Sequence, residues 1–283
     1  MMTLRKVKNQ AFIGFCLLSA LFGLLVLSSV LYSLIGNGLA GMKLDLFTEL
    51  TPGPGSPGGL KNAIVGSLIL TGLGIVIATP LGVLAGTWLS ESNRSSKAAE
   101  TLRFLNGMLM SAPSILIGLF VYKLVVVTTG TFSGWAGATA LAILALPVIV
   151  STTEEMLRLV PTTLKEAGSG LGAPRWRVIT KLCYRAAGPG IITGILLAMA
   201  RITGETAPLL FTALNSNYMT TDLSQPMANL PVTIYQYAMS PYEDWNQLAW
   251  SGALLITTFI LMINLLATVL PRWLKARKAA KKS

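Results

Sequence analysis

The run Ala200-Arg201-Ile202-Thr203-Gly204-Glu205-Thr206-Ala207-Pro208 places two opposite charges and two hydroxyls inside a long apolar stretch, beside a glycine and a proline that weaken a helix. On an unbroken helix Arg201 and Glu205 stand four residues apart and project from one face. A guanidinium offers a planar fork of donors suited to a tetrahedral oxyanion. Glu205 is placed to hold that fork and release it when an anion arrives, and Thr203 and Thr206 add hydroxyls nearby. An isolated charge within a bilayer costs at least about 2.5 kcal/mol on insertion scales, so such groups line a polar cavity or pair together. The alternative to a substrate site is a pair that only fixes helix packing.

Other chemistry is sparse. The chain has no histidine, and its two cysteines, Cys16 and Cys183, lie far apart. That argues against a zinc site, a His-based triad or a disulfide framework. No G-x-x-x-x-G-K-[ST] phosphate loop occurs, so ATP is not hydrolysed by that route. A transport component that binds no metal or cofactor of its own is expected, and an integral-membrane enzyme is disfavoured.

The elements that must position Arg201 are membrane spans. Of 283 residues, 53% are hydrophobic and 12% charged, with mean hydropathy +0.65; soluble domains carry about 25% charge. Six stretches reach the length of about 20 residues that crosses hydrocarbon as helix: 11–35, 62–90, 105–128, 134–151, 189–212 and 247–270. The first is too long for a signal-peptide core and is expected to be a retained anchor. Lys and Arg number three before it, three in the 91–104 loop, six in the 152–188 loop and six after Leu270, all on one side if six spans are crossed. The other side has Lys43 and Lys61 alone, so both termini are cytoplasmic. The net charge of +11 follows from this topology and points to lipid headgroups, not nucleic acid. Trp88 and Trp273 fall near inner ends and Trp135, Trp245 and Trp250 near outer ends, as an aromatic belt requires. The chain thus divides into an anchor with a Pro/Gly-rich outer loop (1–61), a five-helix core (62–270) and a basic tail (271–283).

Pro80, Pro113, Pro147 and Pro208 put one proline inside each of spans two to five, predicting a kinked, movable core between peripheral first and last helices. Gly82/Gly86 and Gly190/Gly194 permit close helix approach. Arg201 lies about 12 residues into its span, roughly 18 Å, near mid-membrane. Lys123 is close enough to an outer end to snorkel outward.

The 152–188 connection predicts a helix starting after Pro161, a turn at Gly168, Gly170 and Gly172, and a second helix from Pro174. Trp176, Ile179, Leu182 and Cys183 then form one apolar stripe, with Arg175, Arg177, Lys181 and Arg185 on other faces. This suits docking to a cytosolic partner or, equally, resting on anionic lipid.

The run Glu166-Ala167-Gly168-x-x-x-Gly172 resembles the E-A-A-x-x-x-G signature of type I ABC importer permeases, where it forms the coupling helices that enter a groove on the ATPase. Gly168 departs from the usual alanine and is expected to end the first helix earlier; Leu182-Cys183-Tyr184-Arg185 departs from the downstream I-x-L-P. Residues 109–115, 132–137, 201–214, 228–235 and 238–242, above all Gly-Glu-Thr-Ala-Pro-Leu-Leu at 204–210, resemble the A-type permease family of bacterial phosphate importers (the PstA family) over roughly residues 42 to 270. The resemblance implies an all-α, MetI-like permease in the bacterial inner membrane. It implies phosphate as substrate, with Arg201 and Glu205 in its passage. It also implies a homologous C-type permease, two ATPase subunits that bind ATP and magnesium, and a periplasmic or lipid-anchored phosphate-binding protein, for which the outer segment 213–246 is the expected contact. The residues themselves leave two alternatives: a permease for sulfate or molybdate, and a proton-coupled carrier titrating Glu205.

Overall fold

The computed structural model describes residues 2–93 and 96–280, and the side chains of 2–4 and 270–280 stand outside that description. Described residues are helical or irregular, with no strand. Five helices are long and apolar enough to cross a membrane, and a sixth crossing results if a bent pair counts as one span. Both termini then lie on the side that Lys and Arg mark as cytoplasmic.

The first helix, Met2–Ala40, is exposed along most of its length and meets the last helix, Glu243–Ala280, near its own outer end, where Gly38 and Gly41 lie against Leu254 and Ser251. The last helix runs through the expected start of the tail; Trp273 and the tail's basic side chains, like Arg94, lie outside the described residues.

The core is built on the second helix, Lys61–Glu91, packed along the fourth, Gly134–Arg158. Small residues bring the two backbones together: a Cβ at Gly82 would stand 2.8 Å from Ile149, and one at Gly86 2.6 Å from the Val150 carbonyl. Gly190 and Gly194 set the fifth helix, Arg175–Thr203, against Met156 and Thr152 in the same way. Pro80 and Pro147 lie inside continuous helices. Pro113 and Pro208 do not, contrary to expectation. The third span breaks at Ala112–Pro113 into Lys97–Ser111 and Ser114–Thr129, which meet at 103°, because the residue before a proline is pushed out of the helical region (Ala112 ψ 133°). The fifth helix ends at Thr203, and Pro208 belongs to a separate turn, Ala207–Leu210.

The outer segment 213–246 is partly surface and partly packed. Its middle is core rather than exposed contact surface: Met227, Ala228, Asn229, Leu230, Val232 and Thr233 are buried. The Asn229 side chain caps the helix Leu230–Ala238 by accepting from Val232 N–H, and Leu230 N–H donates to Ser67 Oγ of the second helix at 2.7 Å. Tyr237 stacks on Trp245 at 4.4 Å and donates to the Pro52 carbonyl, so this tyrosine and this tryptophan serve packing; Tyr218, Tyr235 and Tyr242 are exposed. Exposed Trp88, Trp135 and Trp250 remain near helix ends.

Candidate translocation site and coupling surface

Arg201 occupies the last turn of the fifth helix, where a cation complements the carbonyl dipoles. The helix stops because Gly204 takes the cap and the Pro208 nitrogen has no hydrogen for the next carbonyl. Glu205 therefore lies past the helix end, tied by its N–H to the Ile202 carbonyl at 3.3 Å. The i, i+4 geometry does not apply, and the expected Arg201–Glu205 ion pair is absent. Among the described residues, ion pairs join Glu154 to Arg103 and Arg158, and Glu91 to Lys165 and Arg175. Arg201 is exposed and Glu205 half-buried.

The two threonines part company. Thr203 is buried, its hydroxyl donates to the Met199 carbonyl at 2.7 Å, and it faces an apolar cavity of about 130 Å³ shared with Ser67, Thr71, Leu255 and Phe259. That is away from exposed Arg201. Thr206 is half-buried beside Glu205 in the irregular link, and its carbonyl accepts from Leu210 N–H.

Depth follows from helix contacts. The fifth helix runs antiparallel to the fourth with Gly190 at Met156 and Gly194 at Thr152, which brings Arg201 level with roughly residue 145. That is about 16 Å from the outer start of the fourth helix, close to the middle of a 30 Å core. The break in the third span lies at the same level: Asn106, shortly before it, donates to the Pro147 carbonyl at 3.3 Å and to Ser151 Oγ at 2.8 Å. Past the break, Gly118 touches Pro208. Two interrupted spans thus meet at mid-depth beside an exposed guanidinium. Hydrocarbon does not tolerate such a group, so water or another protein surface must cover it.

On the cytoplasmic side the loop helix spans Thr162–Gly170 after Pro161, and Gly172 turns the chain at φ +76°. Gly168 does not end it early. Gly168 is buried, and a Cβ there would stand 2.7 Å from Leu182 Cδ1, so the missing methyl lets the helix lie close on the next one. That next helix is no separate element but the inner extension of the fifth span. A π-helical stretch at Val178–Cys183 shifts its register, so Val178 and Cys183 are buried while Trp176 points outward, with the Arg177 guanidinium 5.2 Å from its ring. Glu166, Ala167, Leu164, Leu171 and Trp176 form an exposed ridge. Glu91, at the end of the second helix, anchors the ridge through Lys165 Nζ at 2.6 Å and Arg175 Nη2 at 3.3 Å.

Arg103, Asn106 and Glu154 were not singled out by sequence. Glu154 and Arg158 stand four apart and carried that signal, but only a helix extended past residue 151 makes them partners.

The model of the family described as binding-protein-dependent transport system inner membrane component matches residues 78–279. The phosphate transport system permease protein PstA of Pasteurella multocida is 53% identical over 265 residues, covering 94% of this chain and 95% of that protein. The protein of the same name from Haemophilus influenzae is 54% identical over 261 residues, covering 92% and 93%. Among solved structures, an inward-facing MetNI methionine ABC transporter aligns with TM-score 0.63 at 19% identity, over 74% of this chain and 93% of that one, which establishes a shared fold. The chain belongs to the binding-protein-dependent transport system inner membrane component family, in the branch of the PstA permease proteins.

Proposed function

We propose that this chain is the membrane-spanning permease subunit of an ATP-driven inorganic phosphate importer. The observation that carries the proposal is Arg201, exposed and unpaired at mid-membrane next to two broken helices, in a chain more than half identical to PstA permeases. Interrupted spans are where transporters place polar substrates, because irregular backbone persists at that depth only where protein or water covers it.

As a permease of this family the chain acts with a second permease and with ATPase subunits. The finer assignment is a homologous C-type permease across the pathway, two ATPase copies that hold ATP and magnesium, and a binding protein that delivers phosphate outside. ATP draws the ATPases together, and the ridge around Glu166, Ala167, Gly168 and Gly172 moves with them. Glu91 passes that movement to the second helix through Lys165 and Arg175. The pathway opens outward, phosphate meets the Arg201 fork, and Glu205 and Thr206 lie beside it in the unwound link; Thr203 supports the helix end from behind. Nearly complete switching needs about 5.5 kcal/mol of preference for one state, which ATP binding on the partner supplies. No bond is made or broken on this chain.

The test is uptake of labelled phosphate, with sulfate in parallel, in phosphate-starved cells stripped of other phosphate carriers, with and without this gene. Phosphate uptake that depends on the gene and on ATP supports the proposal. Sulfate uptake in its place shifts the substrate, and ATP-independent, proton-driven uptake overturns the importer mechanism.

A further inference from the structure

Between the helix break and the outer surface lies a second polar feature that the mechanism above leaves unused. Residues Asn215, Ser216, Asn217, Tyr218, Thr220 and Gln225 line an open bowl of about 440 Å³ at the outer end of the bundle. Its walls carry amides and hydroxyls and no charge. From Ile202 to Leu270 the chain contains no Lys or Arg, so nothing on this segment attracts an anion by charge.

The bowl is firmly held. Asn62 of the second helix donates to the Ser216 carbonyl at 2.8 Å, and Asn215 Nδ2 donates to Gln236 Oε1 at 2.6 Å. The Gln225 carbonyl accepts from Gly134 N–H at the head of the fourth helix. The chain enters the bowl through Leu214, whose φ of +59° is a left-handed conformation that a leucine rarely adopts. Asn229 Nδ2 holds that carbonyl at 3.1 Å. Strain of this kind persists only where the surroundings impose it, and it clusters at functional segments. Against this rigid frame, the Asn217 and Gln225 side-chain amides make no hydrogen bond among the described residues, and both are exposed.

We propose that the bowl is a receiving station for the inorganic oxyanion, holding it by neutral donors between its release outside and its arrival at Arg201. This rests on the phosphate-importer assignment. The chemistry fits: an amide donates to P–O and accepts from P–OH, so Asn217 and Gln225 accommodate either protonation state of phosphate. Neutral donors hold an anion without trapping it, as a relay site needs, since conduction requires binding weak enough to leave.

The experiment uses the complete importer in proteoliposomes with saturating phosphate-loaded binding protein, reading labelled phosphate moved per ATP hydrolysed. The double variant N217D/Q225E keeps the shapes but turns both donors into carboxylates. It is expected to lower phosphate per ATP by about tenfold, with N217A/Q225A milder, while stimulation of ATPase by the binding protein stays at the wild-type level. Wild-type phosphate per ATP in both variants overturns the proposal. A parallel loss of ATPase stimulation also overturns it, by making the bowl a docking surface. If the unmodified importer moves no phosphate, the importer assignment itself has failed, and that outcome is distinct from either.

Discussion

Gly118 lies so close to Pro208 that a Cβ at 118 would stand 2.6 Å from the proline Cα. This contact joins the outer arm of the broken third span to the turn that follows the broken fifth. The neighbour is backbone, which cannot rotate away, so Gly118→Val is expected to push the two breaks apart. Overpacking of this kind costs about 1–3 kcal/mol. The purified complex should lose thermal stability and uptake together, whereas Gly107→Ala, at a helical position with nothing within 4 Å, should lower neither.

Because Arg201 has no ion-pair partner, removing it leaves no orphaned charge behind. Arg201→Ala is expected to abolish uptake while shifting stability by no more than about 0.5 kcal/mol, the ordinary range for an exposed side chain. Arg201→Lys should keep part of the activity, since it retains charge and loses the fork. The swapped double variant R201E/E205R should not transport, because the two side chains do not hold each other. Normal uptake by that variant, in a complex shown to assemble, would sink the substrate-contact role.

The spans were legible because apolar length is a property of composition, and the level of Arg201 followed from counting residues along one of them. Where the helices stop was not legible. Pro147 lies inside a continuous helix and Pro113 stands at a break, so the presence of a proline does not by itself say which helix stops. The Arg201–Glu205 pairing failed for the same reason, since i, i+4 spacing has meaning only if residue 204 stays helical. The stripe through Trp176 was misplaced because the π-helical insertion at Val178–Cys183 changes which residues share a face. The burial of residues 227–233 had no periodic signal, because an element this short packs by its fit to Gly66 and Ser67 on the second helix.

Glu91 serves two basic residues of the 152–188 connection, with Lys165 about a quarter exposed and Arg175 mostly exposed. Partly solvated pairs contribute about 0–1 kcal/mol each, so Glu91→Gln should cost little stability. Its expected effect is on coupling: the ATPase still binds and hydrolyses, but phosphate moved per ATP falls. Loss of ATPase association instead would mean that Glu91 shapes the docking ridge and does not transmit its movement.

Glu154 is 9% exposed and takes both Arg103 and Arg158 at 2.8 Å, while Arg103 also donates to the Leu89 carbonyl at 3.1 Å. Arg103 therefore ties the helix Lys97–Ser111 to the fourth helix through Glu154 and to the second through the Leu89 carbonyl. Glu154→Gln leaves two guanidinium groups facing a neutral amide in a half-buried place. The expected loss is about 2 kcal/mol, between the values for exposed and buried pairs broken on one side. Chemical denaturation of the detergent-solubilised complex measures it, and Arg158→Ala should cost less because Arg103 still neutralises the acid.

Gly168 separates two opposing effects that a substitution series can resolve. Replacing glycine by alanine inside a helix gains about 1 kcal/mol. Against this, the new methyl meets Leu182 Cδ1 at 2.7 Å and Val178 Cγ2 at 3.2 Å. Leu182 is only half-buried, and its Cδ1 is the far end of a flexible side chain, so it can turn aside at little cost. Gly168→Ala is therefore expected to be near neutral in stability and in uptake. Gly168→Leu has no such exit, because Val178 is buried and β-branched, and the loop helix must lift off the fifth span. Uptake should then fall with ATPase association, measured by co-purification. If Gly168→Leu keeps both, the loop helix does not depend on this contact for its position.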